Sequence, residues 1–274
     1  MPKARDKEVI LVGAGRMGGA LLKGWIAQGI GPITVVEPKP SAEIKALAKK
    51  KKITLLAALP AKKFSACVVA IKPQILKDGA GTLADIANSS SGKEGALMIS
   101  IAAGTDTKRL VAAWGAKARI IRAMPNTPGA IGQGITGLYA AKGATPADRK
   151  RATLLLAALG ETLWVKTEAL IDSVTAVSGS GPAYLFLMAE ALTEAGIAEG
   201  LSKADAEKLA RATVSGAGAL LDTDKSSAAA LRQAVTSPGG TTEAALKVLM
   251  ADEGLVALMK RAVSAARKRA VELR

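Results

Sequence analysis

Short apolar runs alternate with helical patterns along the first 165 residues. Continuous apolar runs predict strands at Val9–Val12, Ile33–Val36, Cys67–Ile71, Leu97–Ile101, Arg119–Ala123 and Thr162–Val165. Gly18–Gln28 and Ala42–Lys51 have the pattern of helices. Because strands that are buried on both faces are apolar throughout, and because they alternate here with helices, the pattern predicts a doubly wound, mainly parallel α/β sheet.

The pattern changes after about residue 165, where strand signals stop and Ala-rich helical spacing begins. One helical stripe consists of Ala206, Leu209, Ala210, Val214, Ala217 and Leu221. Tyr184–Met188 is apolar all round, so its helix is expected to be buried or to lie in a subunit interface. We therefore predict two domains, an α/β domain at residues 1–165 and an all-α domain at residues 166–274 that pairs with a copy of itself.

Composition removes several kinds of chemistry. The chain has no His and a single Cys, which excludes His-based nucleophile systems, His-ligated metals, an intrachain disulfide and a Cys-based zinc site. We expect no metal, and the lone thiol suits a reducing compartment. The formal net charge of +15 comes from Lys and Arg spread along the whole chain. With no nucleic-acid motif or aromatic ladder, this charge favours attraction of small anions over nucleic-acid binding.

No apolar run has the length of a membrane span. The early run Val9–Val12 is too short for a signal peptide, and Pro182–Ala189 falls far short of the roughly 20 residues that a span needs. The sequence thus predicts a cytoplasmic protein with no membrane contact.

A glycine-rich segment follows the first predicted strand and opens the first predicted helix. It reads Gly13, Ala14, Gly15, Arg16, Met17 and Gly18, the Gly-x-Gly-x-x-Gly pattern that binds a dinucleotide pyrophosphate at a helix N-terminus. Glu37 ends the second strand 19 residues after Gly18 (37 − 18), near the distance expected for the residue that accepts the ribose 2′-hydroxyl. A carboxylate there favours NAD, whereas Lys39 could pair with the 2′-phosphate of NADP, so both coenzymes stay open.

Further candidates end the later strands, where open α/β sheets bind ligands. Lys72, between Ile71 and Pro73, is either an anion contact or a solvated charge. Ser100–Gly104 consists of small residues, with Ala102 and Ala103 leaving room for a flat ring. Asn126 lies in a loop fixed by two prolines and offers an amide to the cofactor, or the loop is simply a rigid turn.

The most informative segment of the second domain is Ser237–Thr242, just before a predicted helix at Glu243–Met250. Two glycines, three hydroxyls and unpaired backbone donors at a helix N-terminus form a receptor for a carboxylate. A plain helix cap needs only one of these hydroxyls.

Taken together, these segments resemble the pyrroline-5-carboxylate reductase family over nearly the whole chain. The resemblance is carried by Gly13–Gly18, Ala70–Pro73, Ser100–Gly104, Arg122–Pro128, Ala176–Tyr184 and Ser237–Thr242. It implies an N-terminal Rossmann domain, a helical C-terminal dimerisation domain, and dimers that also assemble into decamers. It implies NAD(P)H-dependent reduction of the cyclic imine 1-pyrroline-5-carboxylate, the last step of proline biosynthesis.

The resemblance also implies roles for individual residues. The pyrophosphate is expected on Gly13–Gly18 and the nicotinamide side near Ile71, Lys72, Ala102 and Ala103. The substrate carboxylate is expected on Ser237, Gly240, Thr241 and Thr242, with the Thr242 hydroxyl near the ring nitrogen, and Glu168 matches a further position on the substrate side. Many NADP-using members have Ser or Thr in place of Glu37, and Ala234 replaces a polar cofactor contact of some members.

The residues suggest a mechanism and leave rivals. With no His, we expect the imine proton to come from solvent or through Thr242, whose hydroxyl is a poor acid and is assigned a hydrogen bond to the nitrogen. One alternative is a 3-hydroxyacid or 6-phosphogluconate-type dehydrogenase, although the helix after Ser178 offers no Lys as acid–base. Another is a non-catalytic dinucleotide sensor, which would have no use for Ser237–Thr242.

Overall fold

The computed structural model describes residues 8–60, 64–71 and 95–274. Its strands are β1 (Val9–Val12), β2 (Ile33–Val36), β3 (Thr54–Leu56), β4 (Ala66–Val69), β5 (Leu97–Ser100), β6 (Arg119–Met124), β7 (Gly134–Ala140) and β8 (Gly160–Trp164). Its α-helices are α1 (Arg16–Ala27), α2 (Ala42–Lys49), α3 (Thr107–Trp114), α4 (Pro146–Leu156), α5 (Leu170–Val174), α6 (Gly181–Ala198), α7 (Lys203–Thr223), α8 (Ala228–Ala234), α9 (Thr241–Leu249) and α10 (Leu255–Glu272).

The described strands form one sheet in the order β3-β2-β1-β4-β5-β6-β7-β8. β1 is parallel to both of its neighbours, β2 and β4, so the chain changes its winding direction between β3 and β4. β7 runs antiparallel to β6, and the other described pairs are parallel. The predicted mainly parallel, doubly wound sheet is therefore confirmed.

Helices cover both faces of this sheet. Leu11 packs with Trp25 of α1 and Leu155 of α4 on one face, whereas Ile10 on the other face belongs to a cluster with Trp114 of α3. Every residue of β1, β2, β4 and β5 is buried. The continuous apolar runs arise because alternate side chains enter two different cores.

Two strands were absent from the predicted set. β3 has only three residues, and its Thr54 is exposed. β7 contains glycine, threonine and tyrosine in place of an apolar run. Among the predicted strands, β1 and β2 match at both ends, whereas β4 begins one residue earlier and ends two residues earlier than the apolar run Cys67–Ile71. Apolar content marks the buried strands and misses an edge strand and an antiparallel one.

Contacts divide the chain into two compact units. The first, which we call the sheet unit, runs to Gly179 and includes Arg267–Arg274; the second, the helical unit, is Ser180–Ala266. The division differs from the boundary predicted between residues 165 and 166, because Ile171 and Asp172 of α5 are buried in the sheet unit. The two compact units are defined by contacts, and the domain boundary between residues 165 and 166 stays a prediction.

The helical unit contains α6 to α9 and the first part of α10. The apolar segment of α6 is not buried by its own chain, since Leu185, Phe186 and Leu187 are 57%, 64% and 62% exposed. Burial within the chain is therefore not observed for this helix, and its place in a subunit interface stays a prediction. No helix among the described residues is both long and apolar enough to cross a membrane.

Candidate functional site

The glycine-rich loop lies at the carboxyl edge of the sheet. It leaves β1 after Val12, which is in register with Val36 at the end of β2 and with Val69 at the end of β4. A Cβ on Gly18 would collide with the Gly13 carbonyl oxygen, so only glycine allows α1 to start this close to the strand. A Cβ on Gly15 would meet nothing within 4 Å. The protein's own packing therefore gives no reason for glycine at 15, whereas a ligand that approaches the backbone does.

The N-terminus of α1 can receive an anion. Gly15 is the N-cap residue of this 12-residue helix, and no side chain caps it. Amides at an uncapped helix start carry partial positive charge and favour phosphate groups. The geometry of the loop and α1 therefore fits a dinucleotide pyrophosphate.

Glu37 is held beside this loop by two backbone amides. Its Oε2 accepts a hydrogen bond from the Ala14 N–H at 2.9 Å, and its Oε1 accepts one from the Lys39 N–H at 3.1 Å. Each carboxylate oxygen keeps a further lone pair for a ribose hydroxyl. Lys39 itself is exposed. The structure thus fixes Glu37 as an acceptor at the end of β2.

A cavity of about 190 Å³ lies beside the loop, between α1 and α2. Its lining includes Gly15, Arg16 and Ser41. Arg16 places a cation in the lining of this cavity, beside the loop whose Ala14 N–H binds Glu37.

The ends of β4 and β5 bring further predicted residues to the same edge. Ile71 lies against the loop, because a Cβ on Gly13 would be 2.9 Å from the Ile71 Cγ2 atom. Ala102 is buried and Ala103 exposed, and the Ser100 hydroxyl accepts a long hydrogen bond of 3.4 Å from the Ala102 N–H. Lys72 and Pro73 lie outside the described residues.

Asn126 is engaged within the sheet unit. Its Oδ1 accepts a 2.9 Å hydrogen bond from the Ile135 N–H at the start of β7. This contact connects the loop after β6 to the next strand, so the side-chain oxygen of Asn126 has a structural role.

In the helical unit, the predicted receptor forms the start of α9. Gly240 is the N-cap residue with no side-chain cap, and its N–H donates to the Ser237 carbonyl at 3.0 Å. The Glu243 carboxylate accepts a hydrogen bond from the Gly239 N–H at 2.7 Å and so fixes the turn before α9. Thr241 and Thr242 are the first two residues of the helix, so their amides have no acceptor within it and are available to an anion. The segment can therefore bind a carboxylate.

Glu168 belongs to a group of charges in the sheet unit. Its Oε1 accepts from the Thr107 N–H at 2.7 Å and pairs with Arg122 Nη1 at 2.9 Å, while its Oε2 accepts from the Thr107 hydroxyl at 2.5 Å. Both oxygens are thus engaged by the chain. Arg122 had no predicted role, although a cation within the apolar run of β6 indicates that an acidic partner exists.

The single cysteine supplies no chemistry. Cys67 is fully buried in β4, and burial raises the pKa of its thiol from 9.0 to about 12. It is protonated at neutral pH and cannot act as a nucleophile.

Comparisons with known proteins agree with both halves of the chain. Residues 168–273 match the family model described as pyrroline-5-carboxylate reductase dimerisation, and residues 8–104 match the model described as NADP oxidoreductase, coenzyme F420-dependent. The pyrroline-5-carboxylate reductase of Pseudomonas aeruginosa is 40% identical, with 97% of this chain and 96% of the relative covered. The enzyme of the same name from Pisum sativum is 34% identical, with 96% and 94% covered.

Solved structures give the same picture. A pyrroline-5-carboxylate reductase from Coxiella burnetii has a TM-score of 0.87 and 38% identity, with 97% of this chain and 98% of that chain covered. A Plasmodium falciparum pyrroline carboxylate reductase, whose structure has NADP bound, has a TM-score of 0.77 and 26% identity at the same coverage.

Proposed function

The chain belongs to the pyrroline-5-carboxylate reductase family, and we propose that it reduces the C=N bond of 1-pyrroline-5-carboxylate to give L-proline, using NAD(P)H. The observation that carries this proposal is the presence of two receptors in one chain. The Gly13–Gly18 loop fits a dinucleotide, and the start of α9 fits a small carboxylate. A sensor that only bound nucleotide would need the first receptor alone.

The cofactor is proposed to bind at the carboxyl edge of the sheet. Gly13–Gly18 would hold the pyrophosphate, Glu37 and Lys39 the adenosine ribose, and Ile71, Ala102 and Ala103 the nicotinamide side. Lys72 is a proposed contact by resemblance, with Pro73 beside it, and Asn126 is a proposed contact through its side-chain amide. When bound, the reduced nicotinamide supplies the hydride that the reaction needs. Because Glu37 is fixed as an acceptor, we propose a preference for NADH.

The substrate is proposed to bind at the start of α9. Ser237, Gly240, Thr241 and Thr242 would receive its carboxylate, and the Thr242 hydroxyl would hydrogen-bond to the ring nitrogen. One hydride adds to the imine carbon and one proton to the nitrogen, so that proline and the oxidised cofactor are the products. The proton comes from solvent, since a threonine hydroxyl is too weak an acid to be its source. Glu168 is retained on the substrate side by resemblance.

The assembly is proposed to be a homodimer that forms through the helical unit, with a decamer as a pentamer of dimers. The dimerisation family match and the exposed Leu185, Phe186 and Leu187 support the dimer. Light scattering should give a mass of two or ten times 27.8 kDa. The unpaired Cys67 supports a place in the reducing cytoplasm.

The activity is tested by following oxidation of NADH and NADPH with 1-pyrroline-5-carboxylate, beside a panel of 3-hydroxy acids. We expect turnover with the imine alone. Thr242→Val should lower kcat/KM roughly tenfold through loss of one hydrogen bond, whereas Thr223→Val, at an exposed hydroxyl on α7, should not. Turnover of a hydroxy acid, or no turnover of the imine with either cofactor, would reject the proposal.

A further inference from the structure

Six residues of the sheet unit are linked by polar contacts and, between the first two, by helix α3; we call them the ionic ring: Thr107, Arg109, Arg122, Glu168, Asp172 and Arg274. Glu168 joins Thr107 to Arg122, as described above. Arg122 Nη2 lies 3.9 Å from Asp172 Oδ1, the same oxygen that accepts from Arg274 Nε at 3.1 Å. The main-chain oxygen of Arg274 accepts from Arg109 Nη2 at 2.6 Å, which returns the path to α3.

The centre of the ionic ring is buried. The side chains of Asp172 and Arg122 are 1% and 4% exposed. A buried charge is costly unless it is paired, so each member depends on the others. Arg274 contacts both oxygens of Asp172, through Nε and through an ion pair from Nη2. Among the residues that the structure describes, loss of Arg274 would leave Asp172 paired only with Arg122, at 3.9 Å, which is longer than a hydrogen bond.

The segment that carries Arg274 also packs on the loop after β5. Gly104 has φ +68°, and an added Cβ would lie 2.8 Å from the Leu273 carbonyl oxygen. The loop Ala102–Gly104 therefore ends beneath the backbone of Leu273. The next helix, α3, is held at its first residue by Glu168, since Thr107 gives Glu168 both its amide and its hydroxyl.

We propose that Arg274 and Glu168 are positioning residues for the cofactor, because the ionic ring fixes the far end of the Ala102–Gly104 loop. Glu168 acts through Thr107, and Arg274 acts through Asp172 and through the packing of Leu273 on Gly104. The assignment of Ala102 and Ala103 to the nicotinamide side rests on the proposed function.

The test compares two arginines of one segment. Arg269 pairs on the surface with Glu272, with side chains 66% and 46% exposed, and it is the matched control for Arg274. NADH dissociation constants are measured by cofactor fluorescence without substrate. We expect Arg274→Ala to raise the NADH dissociation constant about tenfold, which corresponds to about 1.4 kcal/mol, and Arg269→Ala to leave it unchanged. The KM for pyrroline-5-carboxylate should change less than the KM for NADH.

A second variant covers the case in which Arg274→Ala does not fold. Arg274→Lys keeps the charge but has a single ammonium nitrogen in place of the two guanidinium nitrogens, Nε and Nη2, that contact Asp172. We expect it to weaken NADH binding to a smaller extent and to speed hydrogen exchange at residues 101–104. Unchanged NADH binding and unchanged exchange in the folded variant would overturn the proposal. A wild-type protein that binds NADH but does not reduce the imine would instead reject the proposed function.

Discussion

The coenzyme preference should depend on the charge of Glu37. Glu37→Gln keeps the size of the side chain and removes its charge. The carboxylate now accepts from two backbone amides, Ala14 at 2.9 Å and Lys39 at 3.1 Å. A glutamine has one oxygen for these two donors, so one contact is lost or turned into a donor–donor clash.

The magnitude follows from two effects on opposite coenzymes. A hydrogen bond to a charged acceptor is stronger than a neutral one by about 1 kcal/mol, and NADH loses this difference at its ribose hydroxyl. Binding of NADPH gains, because its 2′-phosphate no longer faces the negative charge of Glu37. Repulsion between two unit charges at contact is worth about 1 kcal/mol in water, and about 1 to 2 kcal/mol for a half-exposed carboxylate against a phosphate. Together they change the relative free energy by about 2 to 3 kcal/mol, or about 30- to 150-fold.

The assay is the ratio of kcat/KM for NADH to kcat/KM for NADPH with pyrroline-5-carboxylate as substrate. We expect the wild type to favour NADH and Glu37→Gln to lower the ratio by the stated factor. Glu161→Gln, which alters an exposed carboxylate on β8 of the same unit, should leave the ratio unchanged. The reasoning is refuted if the ratio of the Glu37 variant stays within about twofold of the wild type, a change of only about 0.4 kcal/mol.

Three further predictions concern the loop, the thiol and a buried carboxylate. Gly18→Ala should abolish NADH binding because its Cβ meets a loop carbonyl, whereas Gly19→Ala, whose Cβ would be 3.6 Å from its nearest neighbour, should bind normally in the same fluorescence titration; equal binding by both would contradict the loop geometry. Burial raises the pKa of Cys67 from 9.0 to about 12, so the unfolded chain loses this proton at lower pH than the folded protein does. Above pH 9 the thiol should therefore lower the free energy of unfolding by up to about 1.4 kcal/mol per pH unit. When the free energy of unfolding is measured in urea between pH 9 and 11, Cys67→Ala should show a shallower decline than the wild type, and parallel declines would show that the thiol is not involved. The Asp148 side chain is 5% exposed, pairs with Arg119 at 2.7 Å and accepts from the Thr145 N–H at the start of α4, so Asp148→Asn, which removes a buried and paired charge, should lower the free energy of unfolding in urea by about 2 to 3 kcal/mol. Asp205→Asn, at the same position of the exposed start of α7, should lower it by less than about 1 kcal/mol, and a larger loss for Asp205→Asn than for Asp148→Asn would contradict this reasoning.

The sequence alone determined the features whose signals are local. Apolar runs marked the strands that enter two cores, since side chains on both faces of such strands are buried and are therefore mostly apolar. Glycine spacing located the loop at the end of β1, and hydroxyls with glycines located the start of α9, because a tight turn and an uncapped helix start each need particular residue types within a few positions.

The tertiary structure decided what depends on partners distant in the chain. Arg122 meets Glu168 across 46 positions, and Arg274 meets Asp172 across 102. The sequence around Arg122 does not show which residue is its partner, because the two charges come together only when the chain folds. The same holds for β7, whose polar and glycine residues form a strand because it pairs with β6 on one side and with β8 on the other.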